Sequence, residues 1–154
     1  MIDKLEEIGL TILEKIHLKE LADWYRSHQE GMRYLIFGAL TTLVNIVAYS
    51  ILYYVFHINN ATSNIIAWII GATFAYITNK LYVFNSKVNT KIELLKEILY
   101  FYGCRLLTLI IDEAIMIVTV DKFEWNALLM KIIANIIVIV LNFVFSKILI
   151  FKKK

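Results

Sequence analysis

Four long apolar stretches, at about residues 33–56, 62–84, 98–120 and 126–151, dictate most of what this chain can become. Each is 23–26 residues long, and at about 1.5 Å rise per residue a helix of that length crosses a hydrocarbon core about 30 Å thick. Lipid offers no water to satisfy backbone N–H and C=O groups, so a helix, which bonds them internally, is the natural solution. No proline is present to break one. Composition removes the soluble alternative. Hydrophobic residues make up 60% of the chain and charged residues 19%, with mean hydropathy +0.67, and a 154-residue globule has too little interior to hide that much apolar surface. The expectation is an all-α membrane protein with four transmembrane helices in two helical hairpins.

Residues 1–30 differ in kind. Leu5, Ile8, Ile12 and Ile16 recur at helical spacing among Asp3, Lys4, Glu6, Glu7, Glu14 and Lys15, which predicts an amphipathic helix. It lacks the basic start and unbroken apolar core of a secretory signal. Trp24, Tyr25 and Arg26 read as an interfacial belt before the first span. Two uses of the segment are open: lying on the membrane or on neighbouring helices, and docking a cytoplasmic partner enzyme. The domain reading is therefore 1–30 as an interfacial segment and 31–154 as the four-helix membrane domain.

Lysine placement orients the chain. Lys80, Lys87, Lys91 and Lys96 flank the middle connection, 85–97, and Lys147, Lys152, Lys153 and Lys154 crowd the C-terminal end. The other connections, 57–61 and 121–125, contain only Lys122. The positive-inside bias puts both termini and the middle connection in the cytoplasm.

The hairpins are copies. An ungapped offset of 67 residues aligns Glu30 with Glu97, Thr41 with Thr108, Asn59 with Asn126, Ala67 with Ala134, Lys80 with Lys147 and Phe84 with Phe151. The repeat units are 30–87 and 97–154. Each holds two spans, so the copies have the same orientation. They diverge where Gly38 matches Arg105 and Asn45 matches Asp112. A duplicated frame with one charged half suggests one asymmetric site per chain.

Arg105, Asp112 and Glu113 sit inside the third stretch, where a charge at mid-membrane costs roughly 2.5–3.5 kcal/mol on insertion scales and normally faces a cavity or partner. On a helix, Phe101, Arg105, Thr108 and Asp112 share one face. Other chemistry is excluded by what the chain lacks. There is no Ser-His-Asp pattern, phosphate loop or nucleotide fingerprint, so no catalytic residue is assigned. The single cysteine, Cys104, and three scattered histidines (His17, His28, His57) make no metal site, and no cofactor is expected. Net charge +3 makes no case for nucleic acid. A small-molecule exporter of the four-span kind is expected to carry a glutamate in its first span, and Arg33–Phe56 has no acidic residue.

The pieces RYLIFGALTTLVN (33–45), NIIAWIIGATFAYITNKLYVFNS (64–86), YFYGCRLLTLIIDEAI (100–115) and KIIANIIVIVLNFVFSKILIF (131–151) together resemble the GtrA-like family of small four-span bacterial membrane proteins. The NKxxVF ending of the second span and its SKxxIF echo in the fourth are the most specific marks. Asn79-Lys80 stands where the family commonly has Asn-Arg, which keeps the charge and loses a bidentate fork. The resemblance implies a role in decorating cell-surface polymers such as teichoic acid, lipoteichoic acid or O-antigen, in a bacterial cell membrane. In the scheme it implies, a cytoplasmic glycosyltransferase loads a sugar onto undecaprenyl phosphate. The GtrA-like protein moves that lipid-linked sugar to the outer leaflet, and an outer-face glycosyltransferase uses it. Similar domains also form the membrane part of some polyprenyl-phosphate sugar synthases, so a membrane anchor that recruits a glycosyltransferase is the alternative.

A lipid-linked sugar carries one anionic phosphate, a polar ring and a long tail, and the site residues follow from those needs. Arg105, roughly two or three turns into its span, and Lys131, at the start of the fourth, are the phosphate-binding candidates. Asn79, Asn135 and Asn142, with Ala75, Phe84 and Phe101, are candidates for the headgroup path. Asp112 and Glu113 would carry a proton or bridge to Arg105. Each has a plainer reading: snorkelling for Lys131, ties between helices for the asparagines, packing for the phenylalanines. Four helices leave little room to enclose a sugar, so a homo-oligomer is also open.

Overall fold

The computed structural model describes residues 2–15 and 19–151, with backbone alone for Ile2, Asp3, Leu5 and Leu13. Ile16, His17 and the lysines at 152–154 lie outside the described residues, as does the side chain of Leu5. The described chain is all helical: α1 (Ile2–Lys15), α2 (Lys19–Ser27), α3 (Gln29–Ser50), α4 (Asn60–Thr78), α5 (Lys91–Met116) and α6 (Ala127–Phe145).

Helices α3 to α6 each run on into a wider π-helical turn: Ile51–Val55, Asn79–Val83, Ile117–Lys122 and Ser146–Ile150. With those turns, Gln29–Val55, Asn60–Val83 and Ala127–Ile150 are long and apolar enough to cross a membrane. Helix α5 has the length, 26 residues, but the three charges in its apolar stretch set it apart. It also starts earlier than its hydropathy suggests. The Thr90 side chain accepts from Glu93 N (3.1 Å) while Glu93 accepts from Asn89 N (3.0 Å), a reciprocal cap that turns much of the expected middle loop into helix. Hydropathy reports depth in lipid, and a charged helical turn outside the membrane is invisible to it.

The chain divides into two compact units, Met1–Val83 and Phe84–Lys154, each built around one antiparallel hairpin. The 67-residue offset recurs in their backbones. His57 and Glu124, the equivalent residues after the first helix of each hairpin, both adopt positive φ (53° and 54°). Asn59 and Asn126 then cap α4 and α6, accepting from Thr62 N (2.9 Å) and Leu129 N (3.0 Å). Ala67 and Ala134 are both wholly buried.

In the first unit α4 turns a line of small residues inward: Ala67, Gly71, Ala72 and Ala75 are buried. A Cβ on Gly71 would stand 3.2 Å from Asn45 Cβ and 3.6 Å from the Thr41 carbonyl, so the glycine lets α3 and α4 approach closely. Lipid tails are as apolar as leucine and drive no hydrophobic association, so close packing of this kind holds spans together. Large apolar side chains such as Leu43, Ile46, Ile65 and Ile69 point outward instead, as a lipid-facing surface requires. Gly71→Leu should separate α3 from α4 and destabilise the protein by about 1–3 kcal/mol, read as a lower melting temperature in detergent, while Ile65→Leu on the outward surface should leave it unchanged.

Candidate functional site

The second unit carries the charges of α5. Phe101 (1% exposed) and Thr108 face inward, with Arg105 and Asp112 half-buried on the same side. Thr108 donates to the Asn142 side-chain oxygen (3.1 Å) and to the Arg105 carbonyl (3.0 Å), so a buried polar bond ties α5 to α6. Asn142 is thus a helix tie, whatever else it does. Asn135, expected on the same face, is exposed.

Phenylalanines pack at one end of this unit. Phe84 and Phe151, one repeat offset apart, stack at 5.2 Å between ring centroids, and Phe101 meets Phe151 at 6.2 Å. The Arg105 guanidinium lies over the Phe101 ring, 5.3 Å from its centroid, and among the described residues it makes no ion pair. Phe84 and Phe101, candidates for the path itself, are buried in this cluster and stand behind Arg105. An aromatic face attracts a cation, more strongly where water is scarce, and leaves the guanidinium's five N–H donors unused.

A bridge from Arg105 to Asp112, one of the readings that the spacing left open, does not form. Lys131 takes Asp112 instead, with Nζ 2.6 Å from Oδ2. Asp112 Oδ1 is buried with no hydrogen-bond partner, a rare state for a buried acceptor. Lys131 stays 46% exposed, and Glu113 is exposed. Arg105 and Asp112 are seven residues apart, about 10 Å along a helix, so the second unit offers an unpaired guanidinium and a paired ammonium at two depths. Ala75 and Asn79 are buried in the first unit, where Asn79 opens the π-helical turn at the end of α4.

Two features escaped the sequence. One is a cavity of about 160 Å³ in the second unit, between the chain at Ser86–Val88 and the first turns of α5, lined by Lys87, Glu93, Lys96 and Glu97. Its Glu97 carboxylate is buried and accepts from Ser86 (2.8 Å). The signal available was the T-x-x-E start of α5, which puts Glu93, Lys96 and Glu97 on one helical surface.

The other feature is in the first unit. Arg33 (7% exposed) grips Glu6 of α1, with Nε at 2.9 and 3.1 Å from the two carboxylate oxygens and Nη2 at 2.6 Å from Oε2. Its Nη1 donates to the Tyr82 carbonyl (3.0 Å), in the π-helical turn that follows α4. Gln29 Nε2 (2.8 Å) and the Tyr25 hydroxyl (3.0 Å) donate to the same carboxylate. Burial by itself would raise the Glu6 carboxyl, but the bonds from Arg33, Gln29 and Tyr25 outweigh it and hold it below the ordinary value. Burial, and then the bond to Glu6, push the Tyr25 phenol up. Periodicity could not pair residues 27 positions apart.

Residues 33–151 match the family described as GtrA/DPMS, transmembrane domain. The chain belongs to that family. It is 44% identical over 120 residues to the uncharacterized membrane protein YwcD of Bacillus subtilis, covering 78% of this chain and 94% of that one. It is 42% identical over 132 residues to the cell wall teichoic acid glycosylation protein GtcA of Listeria monocytogenes, covering 85% and 91%. The GtcA protein of Listeria innocua is 42% identical over 130 residues, covering 84% and 90%. No solved structure matches. The family region begins at Arg33, so the Glu6–Arg33 pair joins the shared membrane domain to a helix outside it.

Because Glu6 titrates lower in the folded protein than in the unfolded chain, its contribution is complete above the ordinary value of 4.5 and is lost as pH falls through the lowered one. Acidification across that window should lower the melting temperature in detergent more for the wild type than for Glu6→Gln, which has no carboxyl to titrate. Equal acid sensitivity in the two proteins would refute the linkage.

Proposed function

We propose that this chain is a flippase that moves an undecaprenyl-phosphate-linked monosaccharide from the inner to the outer leaflet, for glycosylation of a cell-surface polymer. The observation that carries the reading is Arg105: a guanidinium inside an apolar helix, seated on a phenylalanine ring and unpaired among the described residues. A charge this costly to place in lipid is rarely retained without a function, and its planar fork matches a phosphate. Family membership and the likeness to GtcA, named for cell wall teichoic acid glycosylation, support the choice of substrate class.

In this reading both termini are cytoplasmic, as the lysines require. The sugar enters by the cavity at the start of α5, where the Glu93 and Glu97 carboxylates accept sugar hydroxyls and Lys87 and Lys96 draw the phosphate toward the protein. Arg105 takes the phosphate next, held in place by Phe101 behind it. Lys131 then exchanges Asp112 for the phosphate, whereas Arg105 gains an anion where, among the described residues, it held none before. The polyprenyl tail stays outside, among the lipid-facing side chains. The chain makes and breaks no bond. A cytoplasmic glycosyltransferase supplies the lipid-linked sugar and an outer-face one consumes it.

Reconstituted in liposomes at equal incorporation, the wild type should move a polyprenyl-phosphate sugar across the bilayer. Arg105→Ala should lose at least about 2 kcal/mol of phosphate stabilisation, a rate loss of about thirtyfold or more. Lys131→Ala should also slow movement. Full movement by Arg105→Ala would end this reading, and no movement by folded wild type that still binds its glycosyltransferase would favour the membrane anchor.

A further inference from the structure

The Arg33 cluster in the first unit holds an anion, and that anion is part of the chain. Arg33, Gln29 and Tyr25 all belong to α2 and α3, and all donate to one group, the Glu6 carboxylate, which arrives on a different helix, α1. Convergent donors around a buried guanidinium are how proteins hold phosphate, and a carboxylate presents the same pair of acceptor oxygens to a guanidinium fork. The helix bringing Glu6 is turned so that Ile8 (58% exposed) and Ile12 (54% exposed) face outward, so this part of its apolar stripe does not hold α1 against α3. Outside the cluster, α1 also meets α2 through the exposed Arg26–Glu14 pair, and exposed pairs contribute little.

We propose that Arg33, Gln29 and Tyr25 form a binding site for a phosphate ester at the end of the first hairpin, and that Glu6 is an internal ligand that occupies it until a phosphate displaces α1. The proposal rests on the reading of this chain as a handler of lipid-linked phosphate and adds a second, self-competed site to it. The guanidinium exchanges one anion, a carboxylate, for another, a phosphate, and α1 leaves with Glu6 solvated. The Tyr82 carbonyl keeps its bond to Nη1 throughout, so Arg33 remains anchored while its other edge changes partner.

The test is binding of decaprenyl phosphate to the full-length protein in phosphatidylcholine nanodiscs, with inorganic phosphate as a parallel probe. Glu6→Gln keeps an acceptor for Tyr25 and Gln29 but removes the competing charge, and it should tighten decaprenyl phosphate binding about tenfold, the factor by which the competent state is otherwise depleted. Glu6→Gln combined with Arg33→Gln should lose that gain. Inorganic phosphate that gains affinity in Glu6→Gln to the same extent would assign the site to free phosphate esters, and a gain confined to decaprenyl phosphate assigns it to a lipid headgroup. Either supports a phosphate site under Glu6.

The exchanged pair Glu6→Arg with Arg33→Glu restores the ion pair without the receptor cation. Melting like the wild type but without the tighter site upholds the proposal, and binding as tight as that of Glu6→Gln overturns it. Unchanged binding in Glu6→Gln also overturns it. Arg105→Gln, run in the same assay, separates the two readings. Binding lost there while Glu6→Gln changes nothing defeats this inference alone. Binding that Glu6→Gln tightens and Arg105→Gln leaves untouched upholds it and removes Arg105 from the phosphate path.

Discussion

A bare charge in hydrocarbon is the cost around which the rest of this molecule is arranged. Three cations on or beside the spans meet it in three ways. Arg33 is neutralised by a carboxylate from another helix and by a backbone carbonyl. Lys131 is paired with Asp112 on the neighbouring helix and keeps nearly half its surface open. Among the described residues, Arg105 has only the face of Phe101. An aromatic ring is a weak partner for a guanidinium compared with a carboxylate, so of the three Arg105 is the one whose charge stays available to an incoming anion.

The apolar frame serves that arrangement. Since lipid supplies no hydrophobic drive between spans, each hairpin closes on small residues and polar ties. Gly71 against Asn45 does this in the first unit, and Thr108 against Asn142 in the second. The repeat explains why both hairpins turn alike, with positive φ at His57 and Glu124 and asparagine caps two residues later. The copies differ at two charged positions: Gly38 and Asn45 of the first correspond to Arg105 and Asp112 of the second. The paired phenylalanines of the two copies, Phe84 and Phe151, end up stacked on each other behind that charge.

Legibility in the sequence followed the range of the interaction. The helices were readable because twenty or so apolar residues in a row are a local property, and the repeat was readable because it needs only comparison along the chain. The shared face of Phe101, Arg105, Thr108 and Asp112 was readable because helical spacing alone creates it. The start of α5 was misjudged because its first turn is charged, and a cap formed by Thr90 and Glu93 marks a helix that hydropathy does not. The partner of Asp112 was not readable for a deeper reason. Arg105 and Asp112 lie on one helix at a separation of seven residues, beyond the reach of an ion pair between neighbours at three or four, whereas Lys131 arrives from α6.

What the sequence determined by itself is the solvent of the fold, the helical character of its segments, the duplication, and the presence of a cation where lipid should exclude one. Those depend on composition and on spacing along the chain. The tertiary structure alone decided which partner each cation meets: Glu6 for Arg33, Asp112 for Lys131, and an aromatic ring for Arg105. Pairing is a matter of a few ångströms between residues 19 or 27 positions apart, and no periodicity encodes such a distance.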